Sequence, residues 1–347
     1  MIEDEARRII EAASGLAGRA GVGEFASWEA AAAIDEGGSD RRFYRLAAGN
    51  RTAVLLSQPG GAREIDSYLE IARLLSRFHA GAPEIYASDG TRGLILMEDL
   101  GDLHLEDALK TASGEEAAAY YAAALDILVL LETSVTEALA REGLLQDRIF
   151  DEKTLLGETE YFMREFIEGF CTVPVAETWE EERRFLAAAL AREPLVFMHR
   201  DFQCRNIMVK DGRLRIVDFQ TAHRGPGLYD TASLLKDPYH PIPAHERHAL
   251  LEEFHAKLQA RGARRGETFD EFHRMFTLAG IQRNLQALAA FVKLGIKRGK
   301  PRFLASIPDG INLLEEGIRE SRRLPGLQTM VAASRVRISE MREKGLF

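Results

Sequence analysis

Only two cysteines occur in the 347 residues, Cys171 and Cys204. Their spacing suits neither a disulfide framework nor a thiolate zinc site. No stretch approaches the roughly 18 consecutive apolar residues that a membrane-spanning helix needs. The first residues, Met1-Ile2-Glu3-Asp4-Glu5, are acidic where a signal peptide is basic and then apolar. The expectation is a soluble, cytoplasmic protein. An excess of positive charge is missing too: 45 Lys and Arg stand against 54 Asp and Glu, for a formal charge of -9. A surface of that sign repels nucleic acid and anionic lipid, and no basic stripe interrupts it. Neither nucleic acid nor a membrane is therefore expected as a partner. Internal repeats and low-complexity tracts are absent as well. What remains is an ordinary globular balance, 46% apolar and 29% charged, with ample material for a core that needs no metal or disulfide staple.

The hydrophobic pattern changes along the chain. A helix is expected near 3–19. Between 30 and 57 the pattern alternates around Gly37-Gly38-Ser39-Asp40 and then runs Thr52-Ala53-Val54-Leu55-Leu56, which predicts two strands flanking turns. From Gly61 to His79, Ile65, Leu69, Ala72 and Leu75 recur at helical spacing. Another strand is expected at Gly93-Leu94-Ile95-Leu96-Met97. Beyond that, helical periodicity covers 113–139, 151–169, 177–192, 243–261 and 267–294, and a polar amphipathic helix is expected from about 322 to 347. One interruption stands out between Leu195 and Gln220. A short apolar run, Leu195 to Met198, precedes two strands that flank Asp211-Gly212, the dipeptide best suited to a type I′ hairpin turn. The fold class expected is α+β with two lobes. Residues 1–98 would form a small β-rich nucleotide-binding lobe and 99–347 a mostly helical catalytic and substrate-binding lobe.

The chemistry concentrates in that interruption: His199-Arg200-Asp201, then Asn206, the hairpin, and Asp218-Phe219. Phosphoryl transfer needs a carboxylate near the incoming hydroxyl and oxygen ligands that hold Mg²⁺ on the phosphates. A loop with Asp201 and, five residues on, Asn206 can present both at one end of a hairpin, whose return strand brings back Asp218. Asp201 is the candidate catalytic residue, and Asn206 and Asp218 are the candidate metal ligands. His199 is expected to hold the loop through hydrogen bonds rather than to handle protons. Asp230, after Gly225-Pro226-Gly227, is expected to brace the loop from the start of the next helix. The cofactors implied are ATP and Mg²⁺.

Met198 to Met208 and Ile216-Val217-Asp218-Phe219-Gln220 resemble the aminoglycoside phosphotransferase and choline kinase-like family, eukaryotic-protein-kinase-like folds that phosphorylate small molecules. A narrower likeness is to bacterial cell-wall-recycling kinases acting on the anomeric hydroxyl of N-acetylmuramate and N-acetylglucosamine. It is carried by Ser39-Asp40-Arg41-Arg42-Phe43-Tyr44-Arg45, by Met97 to Asp102, by Gly225 to Leu235, and by Ile281 to Gln286 with Lys300 to Leu304. The resemblance implies that Ser39, Asp40, Arg41, Arg42 and Phe43 cover the nucleotide phosphates and that Met97, Glu98 and Leu100 face adenine. It also implies a small-molecule sugar as the acceptor, beside the nucleotide.

One absence is specific. Protein kinases carry a lysine on the third strand that pairs with the phosphates and a helix glutamate, whereas Thr52 to Ser57 holds none. Glu64 opens the following helix without that partner. The expectation is that Arg41, Arg42 or Arg45 supplies the charge. For the acceptor, Gln203 and Arg283 are the candidate residues, with Gln282 and Gln286 on the same helix as Arg283. A bidentate arginine would suit the lactyl carboxylate of a muramate. An aminoglycoside would instead call for dense acidic side chains, and Glu158, Glu160, Glu165 and Glu168 are spaced equally well for a solvated helix face. Three readings follow: a sugar kinase, an aminoglycoside or other small-alcohol kinase, and a nucleotide-binding scaffold without catalysis.

Overall fold

The computed structural model describes residues 2–34, 41–58, 62–343 and 345. Ser39 and Asp40, with Gly37 and Gly38, therefore lie outside the described residues. The chain divides into two compact units, residues 1–104 with 207–220 and residues 105–206 with 221–347. The hairpin segment 207–220, expected with the second part, thus groups with the first.

The first unit is built on a five-stranded antiparallel sheet of order β1-β2-β3-β5-β4. Its strands are β1 (Ala30–Ile34), β2 (Arg42–Ala48), β3 (Arg51–Ser57), β4 (Ile85–Asp89) and β5 (Leu94–Glu98). β3 is central, and Ala53, Val54, Leu55 and Leu56 are all buried, which is why it reads as a continuous apolar run rather than an alternation. One face of the sheet packs against α1 (Ile2–Ala20) through Ala13, Leu16 and Ala17, against Leu46, Ala53, Leu55 and Leu96. The helix expected at 61–79 is α2 (Ala62–Arg77), and its four predicted core positions, Ile65, Leu69, Ala72 and Leu75, are buried. Three strands, not two, occupy 30–57. β4 went unread because Ile85 to Asp89 is short and pairs with β5 through an irregular register at Ile85/Ala87.

The second unit is mostly helical. Its helices are α3 (Leu105–Thr111), α4 (Gly114–Leu130), α5 (Thr136–Glu142), α6 (Glu152–Phe162), α7 (Trp179–Leu190), α8 (Leu228–Leu235), α9 (Ala244–Ala260), α10 (Phe269–Val292), α11 (Ile307–Ser321) and α12 (Pro325–Glu343). Three of the expected long helices widen into π turns, at Leu131–Val135, Met163–Cys171 and Lys293–Lys297. α10 is the axis of this unit. Thr268 and Glu271 close a reciprocal cap on its first turn, and Phe272, Phe276, Ile281, Leu285, Leu288 and Phe291 are all buried. Burying side chains of this size is worth about 1.5–3 kcal/mol each. α11 lies close along α10 because it presents Gly310 and Gly317 to it. A Cβ at these positions would meet Leu288 Cδ2 and Ile281 Cγ1 at 2.9 Å. Both cysteines are free and buried. No helix among the described residues is long and apolar enough to cross a membrane.

Candidate active site

The loop of interest leaves strand β6 (Leu195–Met198), which pairs antiparallel with β9 (His223–Pro226) so that Met198 faces His223. Arg200 then adopts φ +80°, a left-handed conformation that costs a non-glycine residue about 1–3 kcal/mol. Something must hold it there, and α8 does. The Asp230 carboxylate accepts the backbone N–H of His199 at 2.5 Å and that of Arg200 at 2.8 Å. At the other end of α8, Asp237 accepts the backbone N–H of Cys204 at 2.8 Å. Asp230 and Asp237 are 2% and 1% exposed, and burial pushes the Asp230 carboxyl up to about 7. Burial raises Asp237 as well. The two carboxylates bracket the loop. Asp230 was legible in the sequence; Asp237 was not, although an acidic residue seven positions on, just past the helix end, was a usable signal.

Within the bracket, the Asp201 carbonyl accepts both the Gln203 N–H and the Asn206 side-chain amide at 2.9 Å. Donating through Nδ2 turns the Oδ1 of Asn206 away from that carbonyl. The His199 ring is fully buried and meets Phe202 edge-on at 5.7 Å, consistent with a supporting role. Arg205 is fixed by Glu106 of α3, with Nε to Oε2 at 2.5 Å, and stacks 3.6 Å from the Tyr239 ring centroid. The Asp201 carboxylate has one charged partner from α10: Arg283 Nη2 lies 3.3 Å from Oδ1. Arg283 is 5% exposed. Its Nε donates to Ser233 Oγ at 3.0 Å, Nη2 also donates to Gln203 Oε1 at 2.9 Å, and Nη1 donates to Gln286 Oε1. Four of the five guanidinium N–H groups are thus committed within the protein. The parallel pair that would clamp a lactyl carboxylate is not available.

Gln282 points elsewhere. Its Nε2 donates to the Leu155 carbonyl at 2.9 Å and to Glu158 at 3.1 Å. Glu158 is buried under the Tyr229 hydroxyl, which lies 3.0 Å from both carboxylate oxygens, and burial pushes it up to about 7. Glu165 pairs with Arg164 and Lys297, while Glu160 and Glu168 are exposed. These four glutamates do not converge on an acidic pocket.

The first unit carries Asp218. It follows the hairpin of β7 (Ile207–Lys210) and β8 (Arg213–Ile216), where Asp211 and Gly212 have φ +50° and +70°, the pair of positive angles a type I′ turn requires. Asp218 itself sits at φ +67°. Its carboxylate accepts Arg41 Nη2 at 2.7 Å and Gln220 Nε2 at 2.6 Å. The neighbouring Phe219 is fully buried against Tyr68, with ring centroids 4.7 Å apart. The three candidate arginines separate cleanly. Arg41 reaches Asp218, and its guanidinium lies 5.9 Å from the Phe43 ring centroid. Arg42 is 72% exposed in its side chain and pairs with Glu5. Arg45 is bound to Asp99 and Asp102 at 2.8 and 2.9 Å and to the Gly101 carbonyl at 3.1 Å, bracing the segment after β5. Glu64 is exposed.

On β5, Met97 is buried and its sulfur accepts the Tyr68 hydroxyl at 3.4 Å. The Glu98 carboxylate is bound by Arg215 through Nη1 and Nη2 at 2.9 and 2.5 Å and by Lys210 at 2.9 Å. These cations hold it well below the usual carboxylate range against the opposing effect of burial, at about 2. Its side chain therefore ties β5 to the β7–β8 hairpin. Leu100 is buried. Asn206 and Asp218 each carry a hard oxygen donor, the chemistry magnesium prefers.

A model of the phosphotransferase enzyme family matches residues 30–267. The chain is 30% identical over 298 residues to an N-acetylmuramate/N-acetylglucosamine kinase of Neisseria meningitidis serogroup B, covering 84% of this chain and 86% of the relative. It is 29% identical over 299 residues to the N-acetylmuramate/N-acetylglucosamine kinase of Pseudomonas aeruginosa, covering 85% and 86%. Among solved structures, a choline/ethanolamine kinase family protein from Mesorhizobium loti superposes with a TM-score of 0.59 at 16% identity, covering 97% of this chain and 100% of that one. That likeness is one of fold, and it bears out the α+β kinase-like class.

Proposed function

The chain belongs to the phosphotransferase enzyme family, and from that premise we propose that it moves the γ-phosphate of ATP to the anomeric hydroxyl of an N-acetylmuramate- or N-acetylglucosamine-type sugar. The sugar class rests on the relatives' activity, at 29–30% identity over most of both chains. The observation that carries the chemistry is the bracketed loop. Of the three aspartates at this loop, Asp230 and Asp237 are buried braces, whereas the Asp201 side chain is 30% exposed and, among the described residues, its carboxylate has no backbone donor to satisfy. Asp201 is the group left to take the proton of an incoming hydroxyl.

Asn206 and Asp218 would hold magnesium, which when bound neutralises charge on the transferring phosphate. Arg41 is the arginine that takes over from the absent strand lysine, because it alone of the three candidates lies beside Asp218. Arg45 is committed to Asp99 and Asp102, and Arg42 is exposed. Met97, Glu98 and Leu100 would lie against the base; the Glu98 backbone N–H is already given to the Glu84 carbonyl and its side chain to Arg215 and Lys210. Rate enhancement then comes from positioning and charge neutralisation.

The test is ATP-to-ADP turnover with Mg²⁺ against N-acetylmuramate, N-acetylglucosamine, glucose, kanamycin and choline. Turnover on the two N-acetyl sugars is expected, with Asp201→Asn lowering kcat by several orders of magnitude while nucleotide binding persists. Turnover on kanamycin or choline alone would reassign the acceptor, and ATP binding without turnover on any of them would favour the scaffold reading.

A further inference from the structure

Arg283 settles the orientation of two side chains that a sequence leaves ambiguous. A guanidinium has donors only, so a carboxamide bound to it must turn its oxygen inward. Gln203 does so, with Oε1 2.9 Å from Arg283 Nη2, and Gln286 does so toward Nη1. Each amide therefore directs its Nε2, with two N–H donors, away from Arg283. Both glutamines are half-buried, and among the described residues neither Nε2 has a partner. The same Nη2 that orients Gln203 also holds Asp201 Oδ1 at 3.3 Å. One buried cation thus sets a single carboxylate beside two amide donors.

We propose that Gln203 and Gln286 form a donor face that selects acceptors carrying hydrogen-bond acceptor groups, such as an amide carbonyl, next to the reacting hydroxyl, and rejects those carrying an ammonium there. This rests on the reading of Asp201 as the group that receives the hydroxyl. The acetamido carbonyl of an N-acetyl sugar, one carbon from the anomeric hydroxyl, fits such a face. An ammonium at that place would meet N–H groups with no acceptor to offer, and would be left unpaired as it is desolvated. Discrimination of this kind is large because the mismatched group pays for its burial without a partner. Arg283 acts as a positioning residue: it orients the three side chains that would meet the acceptor.

The experiment compares N-acetylglucosamine with glucosamine, and includes kanamycin, in the wild type and in Gln203→Glu, Gln203→Met and Gln286→Glu. Glutamate keeps the oxygen toward Arg283 and removes the donors; methionine removes them without adding charge, and removes the acceptor of Arg283 Nη2 as well. Losing one neutral donor group should raise the KM for N-acetylglucosamine about three- to tenfold in the Gln203 variants, with the KM for ATP unchanged. In Gln203→Glu the preference for N-acetylglucosamine over glucosamine should fall by about tenfold or more, since the new carboxylate accepts from an ammonium. Sugar turnover with the preference unchanged in all three variants would overturn the donor face and leave the sugar-kinase reading standing. Wild-type turnover on kanamycin with none on N-acetylglucosamine would overturn both.

Discussion

Replacing Asp230 with asparagine separates the loop's support from its chemistry. The carboxylate accepts two backbone N–H groups, from His199 and Arg200, and with them holds Arg200 at φ +80°. Asparagine keeps one acceptor oxygen and presents an NH₂ to the other amide. Where the carboxyl is ionised, the hydrogen bond lost is one to a charged acceptor, worth about 1.5–3 kcal/mol, which is comparable to the strain of about 1–3 kcal/mol stored at Arg200. With that restraint gone, the fraction of molecules holding Asp201 in place should fall by roughly ten- to a hundredfold, and kcat with it. Stability should respond differently. Burial pushes the Asp230 carboxyl up to about 7, far above the unfolded value of about 4. A carboxyl that keeps its proton more tightly when folded stabilises the chain fully below pH 4 and loses that contribution as pH rises through 7. Asparagine carries no such liability, so Asp230→Asn should gain on the wild type in melting temperature between pH 5 and pH 8. The assay pairs ADP release with thermal unfolding at several pH values. A variant with wild-type kcat, or a melting-temperature difference that stays flat from pH 5 to 8, would refute the reasoning.

Other perturbations follow from the same geometry. Arg41→Ala should raise the KM for ATP several-fold, whereas Arg42→Ala, whose partner is the exposed Glu5, should leave it unchanged; equal effects in steady-state kinetics would remove Arg41 from its role. Gly280→Ala should lower the unfolding midpoint by about 1–3 kcal/mol of stability, because the added Cβ would fall 2.5 Å from the Cδ of the buried Lys236; denaturant titration reads this directly. Glu182→Ala should cost about 1–2 kcal/mol, since Glu182 accepts the N–H groups of Gly326 and Leu327 at 2.7 and 2.8 Å at the start of α12. The loss should appear as faster amide exchange in that helix, with kcat retained.

How far the sequence could be read follows from which constraints are local. The Asp211-Gly212 turn was legible because a type I′ hairpin dictates residue type and conformation within two positions, and the segment from His199 to Asn206 was marked by the apolar run before it and the hairpin after it. The apolar faces of α2 and α10 were legible for the same reason. β4 was not, because Ile85 to Asp89 is defined by pairing with β5 rather than by alternation of its own. The π turns at Leu131–Val135, Met163–Cys171 and Lys293–Lys297 shift helical periodicity by one residue, too little to break the pattern. Asp237 and Glu106 act only through tertiary contacts with the loop; the place of Asp237 just past the end of α8 was its one local signal, and nothing near Glu106 in the chain announces its role. The partners of Arg41, Arg42 and Arg45 were likewise beyond the sequence: three arginines within five positions reach Asp218, Glu5 and Asp99 respectively. Arg283 was found as a polar residue on an apolar helix, but its partners Asp201, Gln203, Ser233 and Gln286 came from the structure.

The most direct test of the account is the identity of the phosphorylated product. The purified chain is incubated with Mg-ATP and N-acetylglucosamine or N-acetylmuramate, and the phosphate ester is located by ³¹P and ¹H NMR, beside a parallel reaction with the methyl glycoside. The account predicts an anomeric phosphate, no product from the methyl glycoside, and none from the Asp201→Asn chain. Phosphate on any other hydroxyl, or undiminished product from the methyl glycoside, would contradict it.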